Sequence, residues 1–232
     1  MKSNEEQLRK RGYIEEKDLN SYMHFTKEQL LELLQSKVAS ERTIAVRLLE
    51  EYQEIEVVKV LISRLIIEKK LYTKIALSET IGNYGEEASK ILIKHLGKVG
   101  DNQHRSLPSK PFKKKNYPLP RDIIARTLCN IGMPSIKALR SCLYQGEYIQ
   151  ILEAIDAIGF ISYYEGDTTS LDDIIELFNK YQDDDLLIWK SLRALQAFKG
   201  EKVLDILRTY STSSVKQLKW EASRSIEQIN RR

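Results

Sequence analysis

The chain is 232 residues long, 42% hydrophobic and 30% charged, with only 10 Gly and 5 Pro, a composition that supports a sizeable folded core and argues against disorder. Its net charge of +4 is too small to mark the whole surface as a nucleic-acid footprint. No apolar run reaches the roughly 18 residues of a membrane helix, because Val57 to Ile67 is interrupted by Lys59, Ser63 and Arg64.

From the N-terminus, residues 1–25 hold a short helix over Glu5 to Arg11 and no apolar stretch of signal-peptide type, and they read as a polar cap for the helices that come after them. Thr26-Lys-Glu-Gln29 has capping-box form and opens an apolar-periodic segment at Leu30 to Leu34. From there two kinds of helix alternate. The first kind covers Leu30 to Leu34, Val57 to Ile66, Ala88 to Leu96, Ile136 to Leu143, Leu171 to Phe178 and Val203 to Leu207. The second carries a recurring small and apolar pattern: Ala45-Val-Arg-Leu-Leu49, Leu77-Ser-Glu-Thr-Ile-Gly82, Ile124-Ala-Arg-Thr-Leu128, Ala154-Ile-Asp-Ala-Ile-Gly159, Ser191-Leu-Arg-Ala-Leu195 and Ala222-Ser-Arg-Ser-Ile226. Seven residues beyond the first position of each, the anchor, stands Tyr52, Tyr84, Ile131, Ile161, Phe198 or Ile229, so one buried stripe at helical spacing repeats through the chain. Each pair of helices predicts a hairpin. Ser170-Leu-Asp-Asp173 and the box-like Ser214-Val-Lys-Gln217 mark two further starts, while Gly82, Gly85, Gly132, Gly159 and Gly200 are expected at or just past helix ends. No strand pattern competes, and the expected fold class is all-α.

Leu77-Ser-Glu-Thr-Ile-Gly-Asn-Tyr-Gly85, Ile124-Ala-Arg-Thr-Leu-Cys-Asn-Ile-Gly132 and Ala154-Ile-Asp-Ala-Ile-Gly-Phe-Ile-Ser162 resemble the second helix of HEAT repeats, in particular the short phycobilisome-lyase type. The resemblance spans residues 26–230. A basic residue three before the anchor, as those repeats tend to have, is present as Arg42, Lys74, Arg121 and Lys219 and replaced by Ile151 and Ile188. It implies a right-handed α-solenoid of about six helical hairpins whose second helices line a concave face, with residues 1–25 as the capping segment and 26–232 as the array.

Two features stand out as candidate sites. Residues two before and two after each anchor are neighbours on one helix face: Thr43/Arg47, Ile75/Glu79, Asp122/Arg126, Leu152/Asp156, Trp189/Arg193 and Trp220/Arg224. On a concave surface they form an arginine ladder, and Arg47, Asp122, Arg126, Trp189, Arg193, Trp220 and Arg224 are the expected partner-binding residues. Trp/Arg pairs suit a planar or anionic partner, although both rings equally suit packing between repeats. The second feature is the insertion 97–121, which carries four of the five prolines and a charge of +6, with Lys110, Lys113, Lys114 and Lys115 beside Phe112 and Tyr117.

Catalysis finds little support in the sequence. His24, His95 and His104 are scattered, Cys129 and Cys142 sit within apolar helical patterns as in a reducing, cytoplasmic protein, and no metal or other cofactor is expected. The leading expectation is a non-catalytic scaffold that binds a protein or peptide partner on the concave face, away from any membrane. A nucleic-acid-binding protein is the alternative, reached through the basic insertion or resembling the HEAT-like alkylpurine DNA glycosylases through Asp122, Arg126, Trp189 and Arg193. Maturation of a cofactor protein rests on the repeat type alone.

Overall fold

In the computed structural model, residues 4–231 are described, and the chain divides between Leu92 and Ile93 into two compact units. The first contains α1 (Glu5–Arg9), a 3-10 turn at Glu16–Tyr22, α2 (Lys27–Leu33), α3 (Ala39–Leu49), α4 (Ile55–Ile67), α5 (Leu71–Gly82) and α6 (Gly85–Leu92). The second contains α7 (Ile123–Ile131), α8 (Ile136–Gln145), α9 (Tyr148–Glu165), α10 (Leu171–Lys180), α11 (Asp185–Leu195), α12 (Glu201–Ser211) and α13 (Lys216–Asn230). The fold is all-α, and no described helix is long and apolar enough to cross a membrane.

In the first unit α2 packs on α3 and α4 on α5, while α3 and α5 lie side by side. Thr26 caps α2 as its sequence predicts: the backbone N–H of Gln29 donates to Oγ1 at 3.4 Å, and Gln29 Oε1 accepts from the Thr26 N–H at 2.8 Å. Leu30, Leu34, Ala45, Leu49, Leu61, Leu65, Leu77 and Ile81, all from the predicted stripes, are fully buried. Arg42 keeps the basic position of the repeat pattern and uses it on Glu68, donating from Nε to Oε2 at 2.8 Å and from Nη2 to Oε1 at 2.9 Å. Glu68 also accepts from Arg64 and from the N–H groups of Lys69 and Lys70, which lead into α5. Burial alone raises this carboxyl, but the two guanidiniums and the backbone donors outweigh it and hold it at about 2. Because the folded pKa lies below the ordinary value of 4.5, the stability it contributes is complete above pH 4.5 and is lost as pH falls towards 2. Glu68→Gln should therefore cost about 2 kcal/mol at pH 7 in urea denaturation and shrink the difference from the parent chain at pH 3; an equal cost at both pH values contradicts the assignment.

In the second unit α7, α9, α11 and α13 pack one on the next and form a layer of second helices. The first helices cover it from behind, α8 on α9, α10 on α11 and α12 on α13. Two expectations change here. Gly159 is not at a helix end, because α9 runs on to Glu165 and stops at Gly166 in the left-handed conformation with φ of 79°. Tyr163 and Tyr164 accordingly belong to the last turn of α9 and stack with Phe160 and Tyr117. Finally, α13 begins at Lys216 behind Val215, whose N–H is held by Ser213 Oγ at 3.1 Å, so the box read at Ser214 does not form.

Candidate functional site

The insertion has no helix of its own between residues 97 and 121, and its four prolines account for that. Both ends are tied down within the second unit. Asp122 is the N-cap of α7, accepting from the Ala125 N–H at 2.8 Å, and it also accepts from Gln103 Nε2 at 2.7 Å. Burial pushes the Asp122 carboxyl up against those hydrogen bonds. Arg126 donates from Nε to the carbonyl of Pro120. These two residues, read from the sequence as partner-binding, hold the insertion to α7.

Between its ends the insertion lies on the face of α9, α11 and α13. Tyr117 is buried, its ring 6.2 Å from Phe160 and 5.5 Å from Tyr163, and its backbone carbonyl accepts from the Tyr164 hydroxyl at 3.3 Å. The ring fits because residue 159 has no side chain: a Cβ there would sit 1.9 Å from Tyr117 Oη and 2.9 Å from the Cα of Ala194. Phe112 lies over two guanidiniums, 5.3 Å from Arg224 and 5.8 Å from Arg193. His104 meets Trp189 edge-on at 5.0 Å, and its Nδ1 stands 3.4 Å from Arg121 Nη1.

The ladder is therefore present in this unit but covered. Trp189 is 2% exposed and Arg193 6%, with the guanidinium 3.9 Å from the Trp189 ring centroid, so this Trp/Arg pair forms as the spacing predicts. The other pair does not. Trp220 is half-buried with Lys216 over its ring at 4.8 Å, while Arg224 turns to Glu221 and to Gln196 Oε1 at 3.1 Å. Arg47 lies in the first unit and pairs there with Glu79, its ladder neighbour from the next repeat. Lys110, Lys113, Lys114 and Lys115 are exposed, and none has a carboxylate at ion-pair distance among the described residues.

Sequence reasoning passed over a buried ionic cluster beneath this face. Lys190 Nζ donates to Glu153 Oε1 at 2.8 Å and to Asp156 Oδ2 at 2.7 Å, and Lys190 and Glu153 are wholly inaccessible to solvent. Glu153 Oε2 and Asp156 Oδ1 have no hydrogen-bond partner among the described residues. Burial pushes the Glu153 carboxyl up to about 7, Lys190 opposing and Asp156 adding to the shift. A carboxyl whose folded pKa is raised supports the fold fully below its ordinary 4.5 and loses that support as pH rises through 7. The second unit should thus melt at progressively lower temperature between about pH 4.5 and 7, and Glu153→Gln should flatten that slope; thermal denaturation across the range measures it. The signal was in the sequence. Immediately before the anchor stand Ile44, Ala76 and Ile123 in the first three repeats but Glu153, Lys190 and Glu221 in the last three, charges of alternating sign on adjacent helices.

Asp156, Trp189 and Arg193 also floor a pocket of about 250 Å³ that the insertion roofs with Pro108, Pro111, Phe112, Pro118, Leu119 and Pro120. His104, Lys110 and Arg121 complete its wall. Burial lowers the His104 imidazole to about 4, which leaves it neutral at pH 7.

Stacked hairpins with a recurring layer order define a helical-repeat protein. No protein-family model matches the chain, and no curated protein matches it in sequence. Among solved structures, it is similar to an engineered protein at 20% identity, over 88% of this chain and 96% of that one, with a TM-score of 0.40. Human deoxyhypusine hydroxylase in complex with glycerol is similar at 10% identity over 98% and 94%, with a TM-score of 0.40. A designed armadillo repeat protein is similar at 16% identity over 88% and 100%, with a TM-score of 0.36.

Proposed function

We propose that the chain is a non-catalytic scaffold of HEAT-like repeats, capped by residues 1–25, that binds a protein partner by an extended, proline-rich segment on the face of α9, α11 and α13. The observation that carries this reading is the seating of the insertion itself. An extended segment crosses successive second helices, buries Tyr117 against the bare backbone of Gly159 and lays Phe112 over Arg193 and Arg224. A face that takes such a segment from its own chain has the shape and chemistry to take one from another chain. The insertion is then the resident occupant, and a partner competes with it or extends it.

The test uses a synthetic peptide of residues 106–120 and two forms of the protein, one intact and one with 97–121 replaced by a short neutral linker. Isothermal titration should show the linker form binding the peptide and the intact form binding it at least tenfold more weakly, with Arg224→Gln weakening the linker form. Equal affinity for both forms, or none for the linker form, sinks the reading.

One observation favours a second reading, nucleic-acid binding. Lys113, Lys114 and Lys115 are exposed on the insertion and have no ion-pair partner among the described residues, which leaves them available to phosphates. The observable is salt dependence: affinity for a mixed-sequence DNA duplex should fall steeply with salt, and replacing these three lysines by Gln should lower the log–log slope by about 3. An unchanged slope or absent binding removes it.

A further inference from the structure

We propose that the pocket between the insertion and the α9–α11 floor is a small-molecule site, built for a single ring that carries an anionic group and a hydrogen-bond donor. It differs from the peptide reading in what it requires, since the pocket exists only with the insertion seated, whereas a peptide partner must replace or extend that segment.

Size comes first. A cavity of about 250 Å³ exceeds the roughly 150 Å³ that accommodates benzene and falls short of the roughly 300 Å³ at which drug-sized pockets begin, so it accepts one substituted ring. The walls suit a ring. The insertion supplies proline rings and Phe112 above a floor that includes the nearly covered Trp189. Charge then selects the substituent. Lys110, Arg121 and Arg193 line the pocket against the single carboxylate of Asp156, and His104 adds no charge at pH 7. Arg193 is already paired with Glu221 at 3.5 Å and Asp156 with Lys190 at 2.7 Å, so the uncommitted charge is that of Lys110 and Arg121, which leaves the pocket positive, and Arg121 presents a planar fork suited to a carboxylate or phosphate.

Asp156 supplies the remaining selectivity. Its Oδ2 is occupied by Lys190 at 2.7 Å, but Oδ1 is buried and has no hydrogen-bond partner among the described residues. A buried carboxylate oxygen without a donor is costly, and a hydroxyl or N–H on the ligand relieves that cost. An aromatic acid bearing a phenolic hydroxyl has all three parts, and 4-hydroxybenzoate is the simplest probe. Benzoate lacks the donor and phenol lacks the anion, so the pair separates the two contributions.

The chain has two tryptophans, so in a Trp220→Phe background the emission reports Trp189 alone. Adding 4-hydroxybenzoate should change that emission saturably, with a dissociation constant of about 1 mM or tighter for a ligand of this size. Benzoate and phenol should each bind about tenfold more weakly, equivalent to one lost polar contact. Lys110→Gln combined with Arg121→Gln, both at exposed positions, should weaken 4-hydroxybenzoate about tenfold and leave phenol unchanged. Asp156→Asn is the more intrusive variant because it also touches Lys190, so the two rim substitutions carry the decision. No saturable change, equal affinity for the three probes, or an unchanged affinity in the rim variant overturns the proposal. Probe binding by an intact chain whose linker form ignores the 106–120 peptide leaves this site standing and removes the peptide reading.

Discussion

Lys190→Met should destabilise the second unit by about 3–5 kcal/mol, the range expected when one partner of a buried ion pair is removed. Lys190 is wholly buried and its ammonium is the donor shared by Glu153 at 2.8 Å and Asp156 at 2.7 Å. Methionine fills the stem's volume, so packing is retained while two buried carboxylates lose their counter-ion. Each already has an oxygen with no hydrogen-bond partner among the described residues. The effect should grow with pH, because Lys190 lowers the Glu153 carboxyl against burial, and without it that carboxyl titrates higher still and loses more stability by pH 8. Adding Glu153→Gln to Lys190→Met should recover part of the loss. Urea denaturation at pH 5.5 and 8 separates these outcomes, and a cost below about 1 kcal/mol at both shows that the cluster does not hold α9 to α11.

The second large effect belongs to Gly159→Ala. In most helices this exchange stabilises by roughly 0.5–1 kcal/mol, because alanine is the better helix former. Here the new Cβ would lie 1.9 Å from Tyr117 Oη, 2.8 Å from Tyr117 Cζ and 2.9 Å from the Cα of Ala194. The last of these is backbone and cannot swing away, so α9 and α11 must separate or Tyr117 must leave. Overpacking of this kind costs about 3 kcal/mol, and the sign reverses relative to an ordinary helix. Expulsion of Tyr117 frees the insertion, so cleavage after Lys113, Lys114 or Lys115 by trypsin should accelerate well beyond the change in global stability. Tyr117→Phe is the matched control: the hydroxyl it removes is buried without a hydrogen-bond partner among the described residues, so stability should change by less than about 0.5 kcal/mol and trypsin resistance should persist.

The helices were legible because each second helix repeats one apolar stripe, from Ala45 and Leu49 to Ala222 and Ile226, and such a stripe has a single solution as a helix that buries one face. Gly159 misled because a glycine five after the anchor ends α5 at Gly82 but not α9, where Ile161 and Ser162 continue the buried stripe. Its role is close approach, and that depends on Tyr117, 42 residues earlier in the chain, which no local pattern can pair with it. The same reason hid the covering of the ladder. Proline and lysine announce that 97–121 is not a helix, but coil has no period from which to read the face it lies on. Glu153, Lys190 and Glu221 each look like the solvated charges of a helix surface when read singly. Only their shared register, one before the anchor on helices that pack side by side, places them inside.

The insertion lies over the Trp189 and Arg193 face, and solvent access to one indole tests that placement most directly. In a Trp220→Phe background, acrylamide quenching of Trp189 should be weak in the intact chain, where the ring is 2% exposed, and several-fold stronger when residues 97–121 are replaced by a short neutral linker. Equal quenching in the two proteins contradicts the placement, because it means that Trp189 is buried by the repeats themselves and that the insertion covers nothing.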